Sequence, residues 1–253
     1  MTELAEGSQD PNPTRQPRER SRGTDCGSAR GSLSRGQSPI TLVCFALKEE
    51  VKSFERLAGP RPHVKILLTG IGSCNAEKAL RAALLTQRPK LVLSCGFAGG
   101  LRPGLATGTV VFAADAGTAL ESALLAAGAE PARFHCARRV AATAEQKRFL
   151  WESTGADAVE MESGVICAIC REQKTPNAIV RVVLDTASQD LPLDFNQLMT
   201  AGQRMDYGKL ALAVIKSPGK IAALLGLRRQ ARTAAGKLAE VLVRILFLEN
   251  LKI

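Results

Sequence analysis

From Ile40 onward, short apolar runs alternate with amphipathic stretches, and Gly, Pro and small polar residues punctuate them. ITLVCFA at 40–46 opens the series, and further strand-like runs fall at 64–69, 90–95, 108–114 and 178–184. Runs of this length, rich in β-branched residues and bounded by turn formers, predict strands. Between them the spacing predicts helices over 51–57 (ending at Gly59-Pro60), 74–86, 118–127 and 144–153. Ser73 and Asn75 stand where the second of these helices needs caps. A short strand delivers Glu160, and a short apolar helix follows Glu162.

Strands alternating with helices, several of them apolar on both sides, predict an α/β class: a three-layer α/β/α fold around a mostly parallel twisted sheet. The chain is expected to be helical from Phe195 onward. Over 221–248, Leu224, Leu225, Ala231, Leu238, Leu242 and Ile245 fall near helical spacing, with Arg228, Arg229, Arg232 and Lys237 interleaved. Residues 1–39 are rich in Ser, Gly, Pro, Arg and Gln without apolar periodicity, which predicts a disordered arm. The expected organisation is thus an arm (1–39), a domain (40–215) and a basic helical extension packed on it (216–253). No internal repeat is present.

Charge changes this picture in one place. The net charge is +10, of which 216–253 contributes +6 from eight basic groups against Glu240 and Glu249. The terminal helix reads first as packed on the domain with a solvated basic face; weak contact of this basic tail with an anionic membrane surface is the alternative. One Trp and one Tyr provide no stacking platform, so nucleic acid is not an expected partner. No run reaches the roughly 20 apolar residues of a membrane span, and the start lacks a secretory pattern, so a cytoplasmic protein is expected. Seven cysteines, an odd number placed mostly in apolar runs, read as reduced thiols; Cys167-x-x-Cys170 has no second pair at zinc spacing, and no metal is expected.

The candidate chemistry gathers in 156–188, where Glu160-Met161-Glu162 precedes the apolar helix and Asp185 ends the last strand-like run. The carboxyl ends of strands border the ligand crevice in open α/β sheets, so Glu162 and Asp185 are expected to share a pocket. Glycine-rich turns, TGIGS at 69–73 and CGFAGG at 95–100, are expected after the second and third strands. Neither has the spacing of a P-loop or a dinucleotide fingerprint, and no G-x-S-x-G nucleophile motif occurs.

In chain order, ALKEEV at 46–51, TGIGSCNAEKAL at 69–80, LSCGFAGGL at 93–101, AVEMESGVICAIC at 158–170 and VRVVLDTAS at 180–188 make the sequence similar to the nucleoside phosphorylase/nucleosidase superfamily. That superfamily includes purine nucleoside phosphorylases and methylthioadenosine/S-adenosylhomocysteine nucleosidases. Leu191-Pro192 and PGKIAALLGL at 218–227 more loosely resemble its hopanoid-associated branch. The resemblance implies the phosphorylase/hydrolase-like fold and cleavage of an N-glycosidic bond in a purine nucleoside or nucleoside conjugate, by phosphate or by water. It implies that Asp185 protonates the departing base, that Glu162 binds the ribose hydroxyls with Met161 against sugar and base, and that Glu50 activates water. Glu160, Phe97, Ala98, Gly99 and Gly72 fall at substrate-binding positions, with Gly72 and Ser73 near a phosphate or 5′-substituent.

Each residue also has a plainer reading: Asp185 a turn residue, Met161 core, Glu160 and Arg181 ion-pair partners, Glu50 a surface acid on a first helical turn. The resemblance implies no cofactor, with inorganic phosphate as a co-substrate if the reaction is phosphorolysis, and a homodimer. Departures from the family pattern are the bulk of Phe97, Thr109, Leu184 beside the acid, and a short span over 114–143. They make a catalytically weakened nucleoside-binding protein the alternative.

Overall fold

The computed structural model describes residues 40–115, 117–200, 202–203, 206–216 and 218–247. The expected arm at 1–39 and the end of the terminal helix lie outside the described residues. Eight strands form one sheet: β1 (Thr41–Phe45), β2 (Val64–Leu68), β3 (Leu91–Gly100), β4 (Val110–Ala113), β5 (Glu130–Pro131), β6 (Phe134–Cys136), β7 (Ala158–Glu160) and β8 (Asn177–Asp185). The helices are α1 (Lys48–Ala58), α2 (Ser73–Thr86), α3 (Ala119–Ala126), α4 (Ala144–Thr154), α5 (Ser163–Glu172), α6 (Tyr207–Lys216) and α7 (Ile221–Phe247).

The sheet runs β2-β1-β3-β8-β4-β5, with β7 pairing β3 and β6. Most pairs are parallel; β4 against β8 and β7 against β3 are antiparallel. Side-chain alternation then divides the core by face. Val43 and Phe45 of β1 join Leu91, Leu93, Val180 and Val182 against α1, α3 and α7. Leu42 and Cys44, one residue out of phase, join Val92 against α2 and α5. The chain is therefore a three-layer α/β/α domain. Burying a side chain such as Phe45 or Phe54 stabilises it by about 1.5–3 kcal/mol.

Three differences from the sequence expectation bear on the site. The glycine-rich CGFAGG segment is not a turn: β3 runs on through Gly100, pairing Gly96 with Arg181 and Phe97 with Val182. Opposite its end, Ala98 pairs with Val183 but Gly99 pairs with Asp185, so Leu184 is an extra residue. Such a bulge re-aims the side chains beside it. Lastly, the chain is not helical from Phe195: turns fill 195–198, tied by Asn196 Nδ2 donating to the Val140 carbonyl and to Asp194, and helix resumes at Tyr207.

Candidate active site

The carboxyl ends of β1, β3, β7 and β8 meet at a cavity of about 250 Å³, just below the ~300–1,000 Å³ usual for small-molecule sites. Glu50, Phe97, Ala98, Gly99, Glu160, Met161, Glu162 and Asp185 all line it. The remaining wall is mainly aliphatic, with Ile71, Leu191 and Met199 among its residues. Of the sequence candidates, Gly72 and Ser73 are absent from this lining. The Gly72 N–H, expected near a substrate anion, donates instead to Glu162 Oε1 at 2.7 Å, and Ser73 Oγ donates to the Met161 carbonyl at 3.0 Å. Both groups brace the ribose-binding candidates from behind.

Glu50 follows β1 on the first turn of α1, but it is buried rather than a surface acid. Its carboxylate accepts two backbone N–H bonds, from Leu47 and from Phe97, each 2.8 Å. Burial outweighs these bonds and the nearby Arg181 guanidinium, and pushes Glu50 up to about 7. The close approach depends on Gly96, held at φ +144°: a Cβ there would lie 2.5 Å from Glu50 Oε1 and 2.7 Å from Arg181 Nη1. Phe97 contributes its backbone to this arrangement, while its half-buried ring packs on the main core cluster.

Arg181 sits in β8, fully buried, under the carboxylates. Its Nη2 contacts Glu160 Oε2 at 2.6 Å and Glu162 Oε2 at 3.4 Å, and donates to Ser94 Oγ; Nη1 donates to the Cys95 carbonyl. Glu160 is fully engaged, because it also accepts from the Glu162 and Ser163 N–H groups and from Ser163 Oγ at the start of α5. Burial pushes Glu160 up, but Arg181 and these bonds outweigh it and leave the carboxyl below its ordinary range. Glu162 goes the other way: burial, reinforced by Glu160, raises it against Arg181 and the Gly72 N–H. Glu160 and Arg181 thus form an ion pair, the plainer of their two readings, beneath a less committed Glu162.

Asp185 is 4% exposed, aimed by the bulge in β8. Burial raises it above the usual aspartate range, and Lys147 opposes the rise. Lys147, 0% exposed, was not a candidate from the sequence. It lies one turn into α4, whose start is fixed by Thr143 Oγ1 accepting the Gln146 N–H and by Gln146 Oε1 accepting the Ala142 N–H. Its Nζ ion-pairs with Asp185 Oδ2 and donates to the Thr186 and Gln189 carbonyls, at 2.9 and 2.5 Å. A lysine within AEQKRFLWEST reads as solvated, so the sequence offers no signal for it beyond its place after the Thr143 cap. Lys147 stands behind Asp185 rather than in the lining, whereas Leu227 of α7, also not expected from the sequence, lines the cavity itself. Among the described residues no group of His, Cys, Asp and Glu side chains could hold a metal ion.

Three acids that burial makes hold their protons above the usual carboxylate range, two of them able to face a ligand's hydroxyls and leaving group, suit proton transfer next to a polyol. Known proteins resemble the chain in sequence and in fold. A relative, the 5′-methylthioadenosine/S-adenosylhomocysteine nucleosidase of Anoxybacillus flavithermus, is 25% identical over 171 residues, covering 54% of this chain and 74% of the relative. Solved structures share the fold. The nucleosidase of that name from Neisseria meningitidis, in complex with methylthio-immucillin-A, superposes with TM-score 0.60 at 20% identity, over 82% of this chain and 98% of its own. A futalosine hydrolase mutant of Helicobacter pylori gives 0.57 at 15% identity, over 81% of this chain and 98% of its own. The model of the phosphorylase superfamily matches residues 60–137 and 128–216, more than half the chain and inclusive of Glu162 and Asp185, and the chain belongs to that superfamily.

Proposed function

We propose that the protein cleaves the N-glycosidic bond of a purine nucleoside or nucleoside conjugate, with water as the nucleophile. The observation that carries the reading is the convergence of Glu50, Glu162 and Asp185 on one cavity. Bond cleavage develops positive charge on the sugar and negative charge on the base. Asp185, raised by burial, protonates the departing base; Glu162 accepts hydrogen bonds from the ribose hydroxyls and sits near the cationic sugar; Glu50, near neutrality, takes a proton from water. The relatives named above act on such compounds by their names, and the nucleosidase and hydrolase names are those of water-using enzymes.

Water is favoured over phosphate by charge. Among the described residues the lining contains no Lys or Arg, Arg181 is held by Glu160 and Glu162, and the Gly72 N–H is taken up by Glu162. An attacking phosphate dianion would meet carboxylates without a compensating cation, an unfavourable juxtaposition in a dry site.

The test is chromatographic release of free base from a panel of purine nucleosides and 5′-substituted nucleosides, with and without phosphate. Release should proceed equally without phosphate, and Asp185→Asn should slow it about 10²–10⁴-fold. An amide variant as fast as the wild type removes the acid assignment, and absolute dependence on phosphate removes water.

One observation favours a second reading, a catalytically weakened nucleoside binder: the Lys147 cation against Asp185 favours the ionised carboxylate, which cannot donate a proton. Calorimetry that detects nucleoside binding, together with no base release from any member of the panel, would select it.

A further inference from the structure

The two sides of α7 do different work. One side turns Leu227 to the cavity and buries Ala234, Leu238, Leu242 and Ile245 in the core. Along another line of the helix, at spacings i, i+4, i+7 and i+11, run Ile221, Leu225, Arg228 and Arg232, all exposed. Ahead of it, α6 exposes Leu212 and Ile215, the latter 75% accessible. Residues 207–239 carry seven basic groups and no acid.

Arg228 and Arg232 also border a groove of about 500 Å³ between α7 and α1. Across it stand Lys52 and Arg56, exposed and one turn apart, and Glu49 is the single acid in its lining. Among the described residues none of these four cations lies within ion-pair distance of a carboxylate. Like charges gathered on adjacent turns repel, so an anion in the groove is favoured. Ile221 and Leu225, on the same helical line as its two arginines, gain by leaving water, as do the exposed Leu212 and Ile215 of the preceding helix.

An anionic headgroup layer over acyl chains meets both needs at once. A second copy of this chain would bring the same positive surface against itself. An acidic protein or a nucleic acid would neutralise the groove but give Leu212, Ile215, Ile221 and Leu225 no apolar medium. We infer that α6 and the first half of α7 dock this protein on an anionic lipid surface. The headgroup phosphate sits among Lys52, Arg56, Arg228 and Arg232, and the four aliphatic side chains enter the acyl boundary. Attachment is peripheral, since no described helix is long and apolar enough to cross a membrane. With Leu227 on the same helix, the docked face adjoins an element of the cavity wall. The inference stands independently of the reaction assigned to that cavity.

The full chain should co-sediment with phosphatidylcholine vesicles containing phosphatidylglycerol, and not with phosphatidylcholine alone. Arg228→Glu with Arg232→Glu should lower partitioning at least thirtyfold, since each basic residue near an anionic surface contributes about 1 kcal/mol. Ile221→Ser with Leu225→Ser should lower vesicle binding while leaving binding to polyglutamate unchanged. All four positions are exposed, so thermal midpoints should match the wild type. The inference fails if anionic and neutral vesicles bind alike, or if the arginine variant still sediments. It fails equally if polyglutamate or inorganic phosphate binds where vesicles do not, which would assign the groove to an acidic protein or a soluble anion.

Discussion

Lys147 and Asp185 show how one buried cation sets the properties of one buried acid. Their ion pair is enclosed: the lysine is 0% exposed and its remaining donors meet the Thr186 and Gln189 carbonyls. Burial favours protonated Asp185 and Lys147 favours the carboxylate, so the balance between them decides when a proton is available. Removing the cation in Lys147→Met leaves burial unopposed and raises Asp185 further. If Asp185 acts as an acid, the alkaline limb of kcat/KM should then move to higher pH. The same variant should lose about 3–5 kcal/mol of stability, because a buried carboxylate is left without its partner. Denaturant unfolding measures the second effect and a pH profile the first. A stability loss with an unmoved limb would make Lys147 structural only.

At the scale of elements, the sequence was most readable where one physical signal dominated. Apolar runs located β1, β2, β4 and β8, and spacing located α3 and α4; the caps expected at Ser73 and Asn75 are not made, since Gly72 stands before α2 without a side-chain cap. Strands β5 and β6, with two and three residues, are too short to carry a period. The glycines of β3 imitate a turn because their role depends on neighbours, the Glu50 and Arg181 side chains that both close on Gly96, that no local pattern reveals. Carboxylates at strand ends were legible for the same reason that strands were; Lys147 was hidden by a helix whose composition reads as solvent-facing. The terminal helix was read first as packed on the domain at helical spacing, and its second half supplies Leu238, Leu242 and Ile245 to the main core. Leu242 is 0% exposed, so Leu242→Ala should cost about 2–5 kcal/mol, against a few tenths for Leu225→Ala on the exposed line. Denaturant midpoints of the two variants provide the measurement; equal, small losses would mean that α7 is dispensable to the domain.

For the molecule as a whole, the site imposes a charge imbalance on the core. Among the described residues, Glu50, Glu160, Glu162 and Asp185 are buried with Arg181 and Lys147 as the buried cations, four acids to two bases. Full ionisation would leave excess negative charge in a medium of low dielectric, and Glu50 relieves it by holding its proton to about pH 7. This couples folding to pH in a defined direction. Once unfolded, Glu50 ionises near 4.5, so between about 4.5 and 7 the folded chain binds more protons than the unfolded one. The stabilisation is complete below the unfolded value, falls as pH rises through that window, and is gone above the folded value. Its full size is on the order of 3 kcal/mol at 1.36 kcal/mol per unit. Glu162 and Asp185, also raised, contribute in the same sense, and Glu160, with a lowered value, in the opposite sense at lower pH, so the wild-type curve alone mixes all four. Glu50→Gln separates them. The amide turns its NH2 toward either the Leu47 or the Phe97 N–H and loses one hydrogen bond, an offset that does not vary with pH. The stability difference between variant and wild type should therefore change across pH 4.5–7 in the variant's favour and stay level above it. Thermal unfolding at a series of pH values measures this, and parallel curves throughout the window would show that Glu50 is ionised in the folded protein at ordinary carboxylate pH.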